Sequence, residues 1–225
     1  MFVQKRCIDL EDAVAPEKKR PEARRSLAGV LGSNDTARLA TRINSPSTIG
    51  GLADLQAIVL ADAYPTFLIL PKSESAGVLR QNQCADEKPT ALVALVESAW
   101  GLRHVEAVAE ATPRLRAIIF GAAGMASDLG CERGGGLLHA ARCHIAIACA
   151  AGGIAAIDPP SFNLNDLEAM AAEADRACKL GFAGKAAIHR SQIAPIDASF
   201  RPDAKALDRA RRIVELAKKG VGVDD

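Results

Sequence analysis

A parallel α/β barrel is the architecture that this 225-residue sequence predicts, and three features carry the prediction. Short aliphatic runs alternate with longer Ala/Leu/Glu/Arg segments of helical character, the signature of repeated β-α units. The runs are nearly continuous in apolar residues, as strands buried on both faces are. Almost every run ends in a reactive side chain, where a (β/α)8 barrel places its chemistry. The competing doubly wound sheet lacks its signature. Gly121-Ala-Ala-Gly124 follows a strand, but no third glycine or ribose-binding acid accompanies it, and no phosphate-binding P-loop sequence occurs.

The expected strands, in order, are Phe2–Ile8, Leu39–Ile43, Thr66–Leu70, Ala91–Val96, Arg116–Phe120, Ile154–Ile157 and Lys185–Ile188. The first leads into Asp9, Glu11 and Asp12, the second into Arg42 and Asn44, the third into Lys72 and Glu74, and the fourth into Glu97. A glycine turn and Asp128 follow the fifth, Asp158 ends the sixth, and His189 ends the seventh. Between them lie expected helices at Pro16–Leu31, Ile49–Ala61, Ser75–Gln83, Ala99–Ala111, Gly135–Ala151 and Leu164–Leu180, with Pro202–Lys218 last. Pro16 suits a first helical turn, and Ser161 or Asn163 could cap the helix containing Leu164. The seven strands fall one short of a barrel, and the shortfall is placed at the N-terminus. The chain reads as a single barrel domain, 1–225, with 199–225 a C-terminal helical extension.

Composition narrows the function. Hydrophobic residues make up 49%, enough for a full core in a chain of this length. Lys+Arg and Asp+Glu nearly balance, at 28 against 27, so no basic excess drives nucleic-acid binding. No apolar run reaches the roughly 18 residues that span a bilayer, and no signal peptide is evident. The six cysteines form no CxxC pair and read as buried reduced thiols of a cytoplasmic protein.

Several strand-end residues could carry chemistry. Glu97 closes an apolar strand and needs a cation or hydrogen-bond donors. Mg²⁺ is one candidate, with Asp9, Glu11, Asp12, Asp128 and Asp158 as further ligands or supports, and an ion pair with Lys72 or Arg42 is the alternative. Arg42 could clamp a substrate carboxylate through its guanidinium fork, or instead pair with the first acidic cluster. Lys72 stands among acids that would keep it protonated, against a Schiff-base role. The histidines lack zinc-site spacing, and Trp100 reads as packing beside the site.

Read together, these segments resemble the citrate lyase beta-subunit-like branch of the HpcH/HpaI aldolase/citrate lyase superfamily. They are Ile8-Asp-Leu-Glu-Asp-Ala-Val14, Arg42-Ile-Asn44, Leu70-Pro-Lys-x-Glu74, Val96-Glu-Ser-Ala99 with Gly101, Phe120-Gly121 leading to Asp128-Leu-Gly130, and Gly181-Phe-Ala-Gly-Lys185-x-x-Ile-His189 with Gln192-Ile193. The resemblance implies a (β/α)8 TIM barrel lacking its first strand-helix unit. It implies a metal-dependent carbon–carbon lyase acting on a 2-hydroxy acid or its coenzyme A thioester, with Mg²⁺, or Mn²⁺, as cofactor. On that resemblance Glu97 is a metal ligand, Arg42 binds the carboxylate and reacting oxygen, and Glu11 and Asp12 hold metal-bound waters. Gly121, Asp158 and His189 sit at the periphery. The family's second metal-binding aspartate corresponds here to Gly124, and Asp128 matches a later aspartate one helical turn on. Such a departure fits a relative that binds an acyl-CoA or 2-oxo acid without turnover, or a truncated form of the enzyme. Apolar residues at 206, 207, 210, 213, 214 and 216–217 give the last helix a packing face, and the family resemblance implies a homo-oligomer, with a trimer as the expected form.

Overall fold

The computed structural model describes residues 6–14, 21–33, 39–85, 90–218 and 220. Seven strands form one sheet: β1 (Arg6–Asp9), β2 (Leu39–Arg42), β3 (Phe67–Leu70), β4 (Ala91–Val96), β5 (Leu115–Phe120), β6 (Ala155–Asp158) and β7 (Gly184–Lys185). All neighbours are parallel and the order is consecutive. That is the order of a barrel; a doubly wound sheet reverses direction partway. Among the described residues β1 and β7 each pair on one side only, so the sheet is a curled half-barrel.

The helices are α1 (Pro21–Ser33), α2 (Ile49–Leu60), α3 (Ala76–Ala85), α4 (Ala99–Arg103), α5 (Val105–Ala109), α6 (Ala122–Leu129), α7 (Gly136–Ala151), α8 (Leu167–Lys179), α9 (Ile193–Phe200) and α10 (Ala204–Lys218). β4 is the centre of the core: Leu92 through Val96 are all buried, on both faces, as its unbroken apolar run requires. Val105 and Val108 of α5, Met125 of α6 and Ile145 of α7 pack into the same apolar cluster.

Several expected boundaries are corrected. The start of the first strand and Pro16 lie outside the described residues. The helix expected over Ala99–Ala111 divides at His104, whose backbone N–H turns back to Gly101 and Leu102. The last strand is two residues long rather than Lys185–Ile188. The buried Gln192 side chain accepts from the Ile188 backbone and donates to the Ser161 carbonyl, drawing the chain off the sheet. Neither Ser161 nor Asn163 caps α8: Asp166 does, accepting from Ala169 N–H at 2.8 Å. Helices α6 and α9 were not expected. Of the cysteines described, only Cys149 is buried; Cys7 and Cys178 are exposed and Cys131 and Cys143 half-buried, all free. Trp100 is exposed, its ring tilted at 59° to His104 and under Arg103, so it is not a core packing residue.

One buried acid ties the early loops together. Asp54 of α2 accepts from Arg24 Nε at 2.7 Å and from the Asn44 amide N–H and Nδ2 at 2.9 and 2.7 Å. Asn44 Nδ2 also donates to the Leu10 carbonyl at 2.9 Å, so the turns after β1 and β2 share one anchor. Replacing Asp54 by Ala would strand a guanidinium and two amide donors in the interior. Urea denaturation of Asp54→Ala is expected to show a loss of about 3–5 kcal/mol.

Candidate functional site

Glu97 is the first residue beyond β4, carried by the most buried strand to the C-terminal edge of the sheet. Its Oε1 accepts from the Lys72 backbone N–H at 3.1 Å. To aim that amide, Lys72 takes φ 49°, the one positive φ among described non-glycine residues. Such a conformation costs an L-residue roughly 1–2 kcal/mol, and here it is spent on orienting a carboxylate. Three further links fix the segment after Glu97. Ser98 Oγ caps α4 through the Gly101 N–H and donates to Glu74 at 2.7 Å. Asp128 Oδ2 accepts from the Ala99 N–H at 2.7 Å.

The turn from β5 into α6 lies directly on Glu97. A Cβ at Gly121 would stand 2.3 Å from the Glu97 Cβ, an impossible contact. A Cβ at Gly124 would stand 3.0 Å from both the Glu97 carbonyl oxygen and Oε2. These glycines serve close approach rather than a flexible turn, which is why the segment continues as helix α6 from Ala122.

A second group stands at the ends of β1 and β2. Arg42 grips Asp9 with both arms, Nε to Oδ1 at 2.9 Å and Nη2 to Oδ2 at 2.5 Å. Its Nη1 lies 3.0 Å from Glu11 Oε2 and 3.2 Å from Asp12 Oδ2. The edge that would fork a substrate carboxylate is therefore taken by Asp9, leaving Nη1 directed at the acids. Burial acts to raise the Asp9 carboxyl, but hydrogen bonds from Arg42 and from the Glu11 and Ala13 amides hold it below its usual range. Burial, with repulsion from Asp12, Glu97 and Asp9, lifts Glu11 to about 7 against the pull of Arg42. Glu97 is raised too, by burial first, with Asp12 adding to it and Lys72 and Arg42 opposing.

Glu11, Asp12, Glu97, Arg42 and Lys72 thus act on one another electrostatically, with Gly121 and Gly124 packed on Glu97. Crowded, half-buried carboxylates that resist ionisation are stabilised by a cation, and oxygen donors suit a hard one such as Mg²⁺. Among the described residues no three Asp, Glu, His or Cys side chains close a metal cage. The set fits an ion that keeps several waters, as Mg²⁺ does. Asp128, expected among the further ligands or supports, spends an oxygen on the Ala99 N–H.

Two expected peripheral residues belong elsewhere. Asp158 is fully buried, bound to Lys185 at 2.8 Å and Arg142 at 3.0 Å. His189 Nδ1 contacts Ser191 Oγ and caps the short turn before α9. Of the two roles expected for Arg42, pairing with the first acidic cluster is the one the structure shows, and Asp9, at the end of the neighbouring strand, is its two-armed partner. In the structure they are register partners.

A family model described as HpcH/HpaI aldolase/citrate lyase matches residues 7–190. The L-malyl-CoA/beta-methylmalyl-CoA lyase of Rhodobacter capsulatus is 31% identical, over 94% of this chain and 76% of that protein. Citrate lyase subunit beta of Escherichia coli K12 is 33% identical, over 96% of this chain and 76% of the relative. Among solved structures, RipC from Yersinia pestis aligns with TM-score 0.83 and 39% identity, covering 89% of this chain and 90% of that one. CitE from Mycobacterium tuberculosis, in complex with magnesium, acetoacetate and coenzyme A, aligns with TM-score 0.81 and 30% identity, covering 97% and 80%.

The support under Glu97 can be measured. Asp128→Ala removes the carboxylate from the first N–H of α4 and is expected to lower stability by about 1 kcal/mol, as loss of a cap does. The shift in urea midpoint at unchanged slope reads it.

Proposed function

The chain belongs to the HpcH/HpaI aldolase/citrate lyase family, and on that premise we propose that it is a Mg²⁺-dependent carbon–carbon lyase. Its substrate would be a 2-hydroxy acid or the coenzyme A thioester of one, cleaved in an aldol or Claisen sense, with Mn²⁺ able to replace Mg²⁺. The observation that carries the reading is the placement of Glu97 against Glu11, Asp12 and Arg42 at the C-terminal edge of the sheet. Glu97 would hold the ion, with Glu11 and Asp12 orienting its waters. Bound there, Mg²⁺ supplies Lewis acidity to the oxygens of a 2-oxo acid. Arg42 Nη1, shared with Glu11 and Asp12, would supply positive charge to an oxygen that gains negative charge as the carbon–carbon bond breaks. Asp9 holds that guanidinium by both other arms, so little reorganisation accompanies the charge. The exposed Lys72 ammonium adds a positive rim that favours an anionic substrate.

Gly124 favours a second reading: binding of an acyl-CoA or 2-oxo acid without turnover. It leaves no side chain beside Glu97 Oε2, and a single protein carboxylate holds Mg²⁺ less firmly than two. Calorimetric titration of Mg²⁺ with oxaloacetate present separates the outcomes. Binding that disappears in Glu97→Ala supports a working metal site; no binding by folded protein removes the lyase reading. Gly124→Asp needs Glu97 to give by a few tenths of an ångström. Tighter Mg²⁺ binding and new or much higher lyase activity in that variant would make the natural chain the impaired relative.

We also propose a cytoplasmic homo-oligomer, a trimer on the family resemblance. Helix α10 buries none of its residues, with Leu207 44%, Ile213 37% and Val214 53% exposed along one apolar stripe. A neighbouring subunit would cover that stripe. Sedimentation velocity is expected to show an assembly that Leu207→Asp/Val214→Asp dissociates, and a monomeric parent protein rejects the idea.

A further inference from the structure

A cavity of about 740 Å³ lies between α7 and α8, beside the ends of β5, β6 and β7. Its size is that of a small-molecule site, since such pockets run to roughly 300–1,000 Å³. None of Asp9, Glu11, Arg42, Lys72 or Glu97 lines it; it adjoins the candidate lyase centre through Phe120, Ala122 and Ala123 but shares none of that centre's charged groups. Its walls are strongly basic: Arg133, His139, Arg142, Arg176, Lys179 and Lys185 all contribute.

The charges divide into two groups. Lys185 is bound by Asp158 at 2.8 Å, by the Pro159 carbonyl at 2.7 Å and by Glu173 at 3.3 Å. Arg142 is bound by the other Asp158 oxygen at 3.0 Å. Two acids and two bases thus form a floor without net charge. Lys179 pairs with Asp175 at 2.7 Å on its own helix. Arg133 and Arg176 have no carboxylate partner among the described residues. Arg133 is held over the exposed Phe162 ring, 5.2 Å from its centre, which keeps its guanidinium at the wall. Gly134, Gly135 and Gly136 complete this side, and a Cβ at Gly134 or Gly136 would meet nothing within 4 Å. The backbone there stands open to a ligand at the start of the 16-residue α7, whose N-cap Gly135 supplies no side-chain acceptor.

We propose that this cavity binds a small phosphate-bearing anion, gripped by Arg133 and Arg176. Planar guanidiniums match phosphate oxygens in paired hydrogen bonds. The balanced Asp158–Lys185–Arg142 floor fixes the shape of the cavity and leaves the arginines to take the ligand's charge. The unpartnered α10 of a second copy is a poor occupant. Its Lys205, Arg209, Arg211, Arg212 and Lys218 outnumber Asp208 and Glu215, so it would bring positive charge to a positive wall.

Isothermal titration with inorganic pyrophosphate, in EDTA, tests the assignment without calling on metal binding or lyase activity. The parent protein and Glu97→Gln are expected to bind alike, and Arg133→Gln/Arg176→Gln to bind at least about tenfold more weakly. Gly134→Glu, which adds a carboxylate in open space, is expected to weaken binding as well, and it serves if the double variant does not fold. A parallel titration with ADP separates sources: tighter than pyrophosphate assigns a nucleotide, equal assigns the phosphate chain alone, and both uphold the site. No binding to the parent protein, unchanged binding in the arginine and Gly134→Glu variants, or binding lost in Glu97→Gln overturns it.

Discussion

Glu97 stands where the most buried strand meets solvent, and a carboxylate at such a boundary is tolerable only if its surroundings are built for it. The structure answers with backbone. Lys72 adopts a left-handed conformation to donate its amide, and β5 turns into α6 through glycines that leave room for the acid. The segment beyond Glu97 is then pinned by Asp128 and by the Ser98–Glu74 link. Three consecutive β-α connections, those after β3, β4 and β5, are thereby shaped by one side chain. Parallel strands in consecutive order make this possible, because they bring the ends of β1 to β5 to the same edge.

Two buried acid–base groups in this protein show how pairing decides role. Asp158 hydrogen-bonds Lys185 and stands in an ion pair with Arg142, and with Glu173 the four charges cancel; such a group lends shape and has little net charge left for chemistry. Asp9 and Arg42 also pair, yet Glu11, Asp12 and Glu97 remain around them with more negative charge than one guanidinium can balance. Burial raises Asp158 as it raises Glu11 and Glu97, so desolvation alone does not separate the two settings. The sign and surplus of nearby charge do.

The order of strands was legible because the strands are short and largely apolar, β3 and β4 without a break, and most exits are marked by a polar residue. Glu97, Arg42, Glu11, Asp12 and Lys72 could be picked out on the same basis. What could not be read was direction. Asp158 ends its strand as Glu97 follows its own, but it is taken up by a lysine on the next strand and an arginine on α7. Gly121 and Gly124 read as a turn because glycine in a sequence signals freedom; here their value is absence of volume beside another strand's acid, a long-range fact. Lys72's left-handed backbone left no trace, since lysine carries no preference for it. Helix α9 and the shortened β7 follow from one buried glutamine, Gln192, whose partners are distant in sequence.

The close approach at Gly124 has a meaning for how the chain could change. Glycine codons of the form GGY and aspartate codons GAY differ at one base. A mutation that places an acid there brings its Cβ to 3.0 Å from the Glu97 carbonyl oxygen and Oε2, so Glu97 has to give by a few tenths of an ångström before two carboxylates can stand together. A one-base step to aspartate is therefore coupled to the conformation of Glu97: the flexible end of that side chain sets how readily the chain can carry an acid at this turn.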